Sequence, residues 1–365
     1  MDIYTACAVQ NIVKVTETRS DIKQNIRRCL ELIDICPQMT ATATEGFDAE
    51  SWAPVKLVCF PEFSFQGHQP TWSYQHYLNN VVVEIPGEET ERFAQKAKEY
   101  KIFIILCALE KDPDLKGWFW NTQFIIDPAG KIIHRYHKLT PAAHWELSVS
   151  PHDIYKVYIE KHGDTLSAFF PVTDTEIGKI GTTTCMDGHY PESARALGVQ
   201  GAEIMTHPLF PDPLMSPPLE IWQSINKMRA WENVSYNICA SWGGLVGGLR
   251  PEMMAPGKSM IVKYDGSVSA YADFPGETVI SAVINLEELR LRRTSMSRNF
   301  VASLRTEVYR KIYENPIYPA NQFLGKAPTS RGERDPRETL KELFDKGIFI
   351  RPKECPDYLK SSASG

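Results

Sequence analysis

The chain has 365 residues, 43% hydrophobic and 23% charged, with a net charge of −5. That length and composition exclude a disordered, fibrous or disulfide-stapled miniature protein and suit one large globular body or two ordinary ones. A mildly acidic balance without clustered Lys and Arg argues against a nucleic-acid partner, and the mixed charges at 290–293 read as a solvated face.

In chain order, the N-terminus (MDIYTACAVQ) has no basic stretch before an apolar run, so no secretory leader is expected. Apolar runs at 5–10, 55–60, 103–109, 122–126, 179–183, 203–206 and 235–240 predict buried strands. Ile22, Ile26, Leu30 and Ile33 recur at helical spacing and predict a helix over 21–36; stretches 88–100 and 220–231 read the same way. Run 102–109 is the longest apolar one, and its eight residues are far too few to span a membrane. Two hairpins are predicted, one through Pro128-Ala129-Gly130 and one through Tyr264-Asp265-Gly266. Strands alternating with helices predict an α/β layered fold. Beyond Asn285 the chain turns rich in Arg, Lys, Pro and Tyr, with one helix predicted at 336–346 and a disordered end at 360–365. The expected organisation is a body at 1–285 and an extension at 286–365 that wraps over the body or a partner subunit.

The eight cysteines show no CxxC spacing, so no structural metal site is expected. Seven are expected to be buried, reduced and inert, in a soluble protein of a reducing compartment, the cytoplasm.

Three strand ends carry candidate chemistry, because a rigid sheet edge is where ligands bind in an open α/β fold. Glu62 follows the strand at 55–60 and Pro61; a surface carboxylate is the alternative. Lys138 ends a hairpin strand before Pro141, and a charged ammonium there needs a nearby carboxylate; a solvated loop lysine is the alternative. Cys185 sits at a strand-to-helix turn, where a nucleophile is exposed and backbone N–H groups can hold an oxyanion. Its alternatives are a buried structural thiol, or a metal pair with His189 that lacks further ligands.

Together these segments resemble the nitrilase superfamily of carbon–nitrogen hydrolases, which use a Glu–Lys–Cys triad in this order. The resemblance covers roughly the first 285 positions and includes Ala8-Val9-Gln10, Ile85-Pro86-Gly87-Glu88-Glu89-Thr90, Met228-Arg229-Ala230-Trp231-Glu232-Asn233 and Gly257-Lys258-Ser259-Met260-Ile261-Val262. Within the superfamily, Pro61-Glu62-Phe63-Ser64 and Cys185-Met186-Asp187-Gly188-His189-Tyr190-Pro191-Glu192 are similar to the aliphatic amidase and formamidase branch. That branch carries a second glutamate eight positions after the lysine, which is Glu146 here.

The resemblance implies a four-layer αββα sandwich with an extended C-terminal arm, a homo-oligomer built from dimers, and no cofactor or metal. It implies catalysis by Glu62, Lys138, Cys185 and Glu146, with Phe63, Trp145, Met186, His189, Tyr190 and His207 near a small amide-type substrate. An amidase is the leading expectation; an N-carbamoyl-amide hydrolase or a nitrilase shares the chemistry, and an acyltransferase would pass the thioester to an amine. Phe63 replaces the branch's tyrosine, the loop Pro141-Ala142-Ala143-His144-Trp145 departs from its Trp-rich form, and 149–162 looks inserted. These departures fall beside the inferred pocket and bear on the substrate, while the triad stands.

Overall fold

The structure, a computed structural model, describes residues 1–42, 52–69, 71–143, 145–210, 220–247 and 252–359. The disorder expected at 360–365 lies outside the described residues. Twelve strands form two six-stranded sheets. They are β1 (Ile3–Gln10), β2 (Val55–Cys59), β3 (Phe103–Lys111), β4 (Phe119–Ile126), β5 (Ile132–His137) and β6 (Val172–Thr175). The rest are β7 (Gly178–Thr182), β8 (Ile204–Thr206), β9 (Tyr236–Cys239), β10 (Met260–Val262), β11 (Val268–Tyr271) and β12 (Thr278–Asn285). The first sheet runs β12-β1-β2-β3-β4-β5 and the second β11-β10-β9-β8-β7-β6. In both, the central strands pair in parallel and the flanking pairs are antiparallel.

Period-two alternation explains how one strand serves two layers. On β1, Tyr4, Ala6 and Ala8 face the second sheet, whereas Cys7 and Val9 face helices. The inter-sheet core joins Leu57, Ile105 and Ile125 to Ile180, Ile204, Ile238 and Ile261. Helix α1 (Arg19–Ile35) lays Ile22, Ile26 and Ile33 on the outer face of the first sheet, and α2 (Glu88–Tyr100) adds Phe93 and Ala97. The α1 start is fixed by a capping box between Thr18 and Asp21. On the far side, α3 (Pro191–Val199) and α4 (Ile221–Asn233) cover the second sheet through Leu197, Trp222 and Ala230. This helix–sheet–sheet–helix stack is the expected αββα sandwich.

The predicted strands and hairpins form, but β6 and β12 were not anticipated. Strand β12 pairs along the whole of β1, from Ile3 opposite Asn285 to Gln10 opposite Thr278. Helix α5 (Leu286–Arg293) follows at once, and its Leu286 and Leu289 are buried in the inter-sheet core. The face at 290–293 is largely solvated, as expected: Arg290 and Leu291 are exposed and Arg292 and Arg293 only partly covered. With Leu286 and Leu289 anchored, Arg290 pairs with Glu203 at 2.8 Å and Arg293 donates to the carbonyls of Val234 and Gly201.

Past α5, no strand occurs among the described residues, and the predicted helix is α6 (Arg337–Asp345). The extension lies on the body: Phe323 is buried among Trp120, Val149, Ile154 and Tyr158, and Phe300 packs on Trp231. Val308, Ile312 and Ile317 remain exposed. The stretch that looked inserted pairs Val149 with Trp120 and then forms helix Tyr155–His162. One cysteine expectation needs correction: Cys355 is only partly buried, because this part of the extension has little core to bury it. Among the described residues no helix is long and apolar enough to cross a membrane.

Candidate active site

Strand β2 ends at Cys59, and Phe60-Pro61 carries the chain into a tight turn in which Phe63 takes φ 54°. That reversal sends Glu62 inward, fully shielded from solvent. Its Oε1 accepts from Asn121 Nδ2 at 2.7 Å and from Lys138 Nζ at 2.9 Å, and its Oε2 accepts from the Phe210 N–H at 2.9 Å. Trp242 holds the backbone by donating to the Glu62 carbonyl at 2.6 Å.

Lys138 immediately follows β5, and its N–H donates to the Asn121 carbonyl at 2.9 Å. The ammonium also donates to Glu146, so both carboxylates share it. Glu146 is held by its own N–H on the Ala142 carbonyl and by the Ser148 hydroxyl, which donates to Oε2 at 3.3 Å.

Cys185 lies just past β7, with its N–H on the Pro208 carbonyl at 2.9 Å. It takes φ 49° and ψ −114°, outside the regions ordinary L-residues favour, as at a strained elbow. Three side chains fix that elbow. His207 Nε2 lies 2.8 Å from the Cys185 carbonyl, Asp187 accepts from the Tyr136 hydroxyl at 2.6 Å and the Thr140 N–H at 2.7 Å, and Arg229 donates to the carbonyls of Gly188 and His189. Gly188 is required there, because an added Cβ would stand 2.1 Å from the His207 ring.

Cys185 Sγ and one carboxylate oxygen each from Glu62 and Glu146 lie within 4.8 Å of one another. Such a donor trio can hold a cation, and the Lys138 ammonium, bonded to both carboxylates, supplies one from the chain itself. Burial pushes the Glu62 carboxyl above the usual carboxylate range; Lys138 pulls it back and Glu146 adds to the rise. For Glu146 burial also disfavours charge, but the Lys138 ammonium outweighs it and holds the group below its usual range. Burial opposes the charge on Lys138 too, yet Cys185, Glu146 and Glu62 together keep it well above the ordinary lysine range. Burial, and then the negative charge of Glu62, push the Cys185 thiol well up, so the resting group is neutral. The arrangement therefore sets a neutral thiol beside a carboxylate of raised proton affinity and a permanently charged donor. Those groups can transfer a proton from the thiol and stabilise an anion formed next to it.

The sequence pattern of carbon–nitrogen hydrolases matches residues 5–294. The chain belongs to the carbon–nitrogen hydrolase family. It is similar to formamidases of Bacillus cereus and Bacillus thuringiensis, each 31% identical over 246 residues that cover 67% of this chain and 64% of the relative. The chain thus spans 64% of the length of these curated relatives. Its fold is similar to a carbon–nitrogen hydrolase of Helicobacter pylori, with TM-score 0.64 at 18% identity, covering 86% of this chain and 100% of that one. A nitrilase-superfamily protein of Saccharomyces cerevisiae gives TM-score 0.61 at 22% identity, covering 81% and 94%.

In this family member the residues singled out from sequence separate into groups. Glu62, Lys138, Glu146 and Cys185 come together. Phe63 is buried and stacks on His68 at a centroid distance of 5.2 Å, and His68 meets Phe210 edge-on, forming an aromatic wall beside Glu62. Met186 opens the short helical turn after Cys185. Trp145 and Tyr190 are about half exposed. His207 is buried behind the elbow, 2.7 Å from Asn226 Oδ1, and His189 meets it edge-on. His207 thus braces the Cys185 backbone. Asn121 and Asp187 were missed; the signal for Asn121 is the polar run Asn121-Thr122-Gln123 within an otherwise apolar strand.

Proposed function

We propose that this protein hydrolyses a non-peptide carbon–nitrogen bond as an amidase, releasing ammonia and a carboxylic acid through a thioester on Cys185. The observation that carries the reading is the close approach of Cys185, Glu62 and Glu146 around one buried ammonium. Glu62 takes the thiol proton as Sγ attacks the carbonyl carbon. The Lys138 ammonium and the Met186 N–H hold the tetrahedral oxyanion. Glu62 then gives its proton to the departing amine and later takes one from the water that cleaves the thioester. Glu146 keeps Lys138 charged and oriented. The aromatic wall of Phe63, His68 and Phe210 favours a small, uncharged acyl group, and similarity to formamidases supports the same class.

In this reading residues 1–285 form the hydrolase body and 286–365 an extension rooted by Leu286 and Leu289. The exposed Val308, Ile312 and Ile317 favour a homo-oligomer built on two-fold dimers. Buried free thiols fit a reducing compartment such as the cytoplasm. A panel of short amides, N-carbamoyl compounds and nitriles, assayed for ammonia, tests the activity. Ammonia with a stoichiometric carboxylic acid from an amide supports an amidase, accompanying carbon dioxide points to a carbamoyl substrate, and silence across the panel contradicts the proposal.

A further inference from the structure

Arg334 belongs to the C-terminal extension, outside the stretch 5–294 that the family pattern covers, yet it is 5% exposed. Its guanidinium reaches back 188 positions to the segment that carries Glu146. Nη1 donates to the Glu146 carbonyl at 3.2 Å, and Nη2 donates to the Ser148 carbonyl and to Asp153 Oδ2, each at 2.5 Å. The guanidinium also lies over the Phe323 ring, 5.2 Å from its centroid. Asp153 in turn closes the segment on itself, accepting from the Ser150 N–H at 2.9 Å.

A planar guanidinium suits this task, because its rigid fork spreads the donors over two nitrogens and fixes two carbonyls and a carboxylate in one geometry, where a lysine offers a single point ammonium on a flexible stem. The segment is also anchored by the turn to Ala142, by the Val149 N–H on the Phe119 carbonyl at 2.9 Å and by the buried Leu147 and Val149, and Arg334 adds bonds to the carbonyls of Glu146 and Ser148 themselves. Backbone placement there sets where the Glu146 carboxylate meets Lys138.

We infer that Arg334 is a positioning residue for the active site: the C-terminal extension clamps the Glu146 segment through it and thereby holds Glu146 on Lys138. The inference rests on the role proposed above for those two residues. Arg334→Ala lowers kcat roughly 10- to 100-fold, as small misplacements of catalytic groups do, with KM little changed. Arg334→Lys keeps the charge toward Asp153, loses the fork and recovers part of kcat; if Arg334→Ala does not fold, Arg334→Lys carries the comparison. A residue acting through Glu146 adds no further loss in a Glu146→Gln background, whereas a general loss of stability multiplies with it.

Wild type, Arg334→Ala, Arg334→Lys, Glu146→Gln and the double variant are also compared for the rate at which iodoacetamide labels Cys185, mapped by peptide mass, which needs no turnover. If wild type turns over none of the panel but labelling shows the non-additive pattern, the proposed activity fails and the Arg334 inference stands. Unchanged kcat and labelling in a folded Arg334 variant, or independent multiplying effects of Arg334 and Glu146 substitutions, overturns it.

Discussion

Lys138 Nζ stands 2.9 Å from Glu62 Oε1 while both side chains are sealed from solvent, and a second carboxylate, Glu146, shares the same ammonium. Two buried acids around one buried base leave one negative charge in excess if both are ionised. The raised proton affinity of Glu62 and the lowered one of Glu146 resolve that excess by giving the two carboxylates different work.

Removing the shared cation tests this directly. Lys138→Ala lowers kcat by about 10²-fold or more, as loss of an oxyanion donor does. It also costs about 3–5 kcal/mol of stability, because buried carboxylates lose their partner. Lys138→Ala combined with Glu146→Gln regains part of the melting temperature but none of the activity. A change confined to KM would mean that Lys138 only binds substrate.

Glu146→Gln preserves shape and removes charge, so a large fall in kcat is expected in a protein whose circular dichroism is unchanged. Wild-type rates in this variant return Glu146 to the role of a loop carboxylate.

The pH dependence follows from Glu62. As a base it must be ionised, so kcat/KM falls as pH drops through its raised pKa, above the ordinary glutamate value of about 4.3. Stability runs the other way. A folded-state pKa above the unfolded value contributes stability that is fully present below the unfolded pKa and is lost as pH rises through the folded one. Glu62→Gln abolishes turnover, yet near neutral pH it melts no lower than wild type, and any advantage shrinks toward pH ~4. Scanning calorimetry of both proteins across that range decides the point; a lower melting temperature for Glu62→Gln near neutrality contradicts it.

The strand ends at Glu62, Lys138 and Cys185 were legible because each follows an apolar run closed by a breaker or a turn. Glu146 was legible only through its spacing from Lys138. Asn121 was hidden because the strand was read from Thr122, whereas pairing with β3 extends it back to Phe119. His207 and Asp187 carry ordinary local signals, and their bracing of the elbow exists only once β5, β8 and α4 are brought together. Arg334 lies furthest beyond local reading, since its partners are 181 to 188 positions away. The scattered charges of the extension gave no hint that one of them would be buried.

The extension also bears on assembly. Deleting the chain from Val308 removes Phe323 and Arg334 together with the exposed Ile312 and Ile317. The truncated protein is expected to form a smaller particle or to aggregate, with weakened activity although Glu62, Lys138, Glu146 and Cys185 are intact. Light scattering with the amide assay measures both; unchanged stoichiometry and full activity would make the extension a local cover.

The most direct measurement is ammonia release by Cys185→Ala on whichever panel compound the wild-type protein turns over. Because the thiol is small and sits at a strand end, the variant is expected to fold, as melting temperature and circular dichroism will show. The account predicts no ammonia above background from that folded protein. Turnover near the wild-type rate would contradict it and remove Cys185 from the reaction.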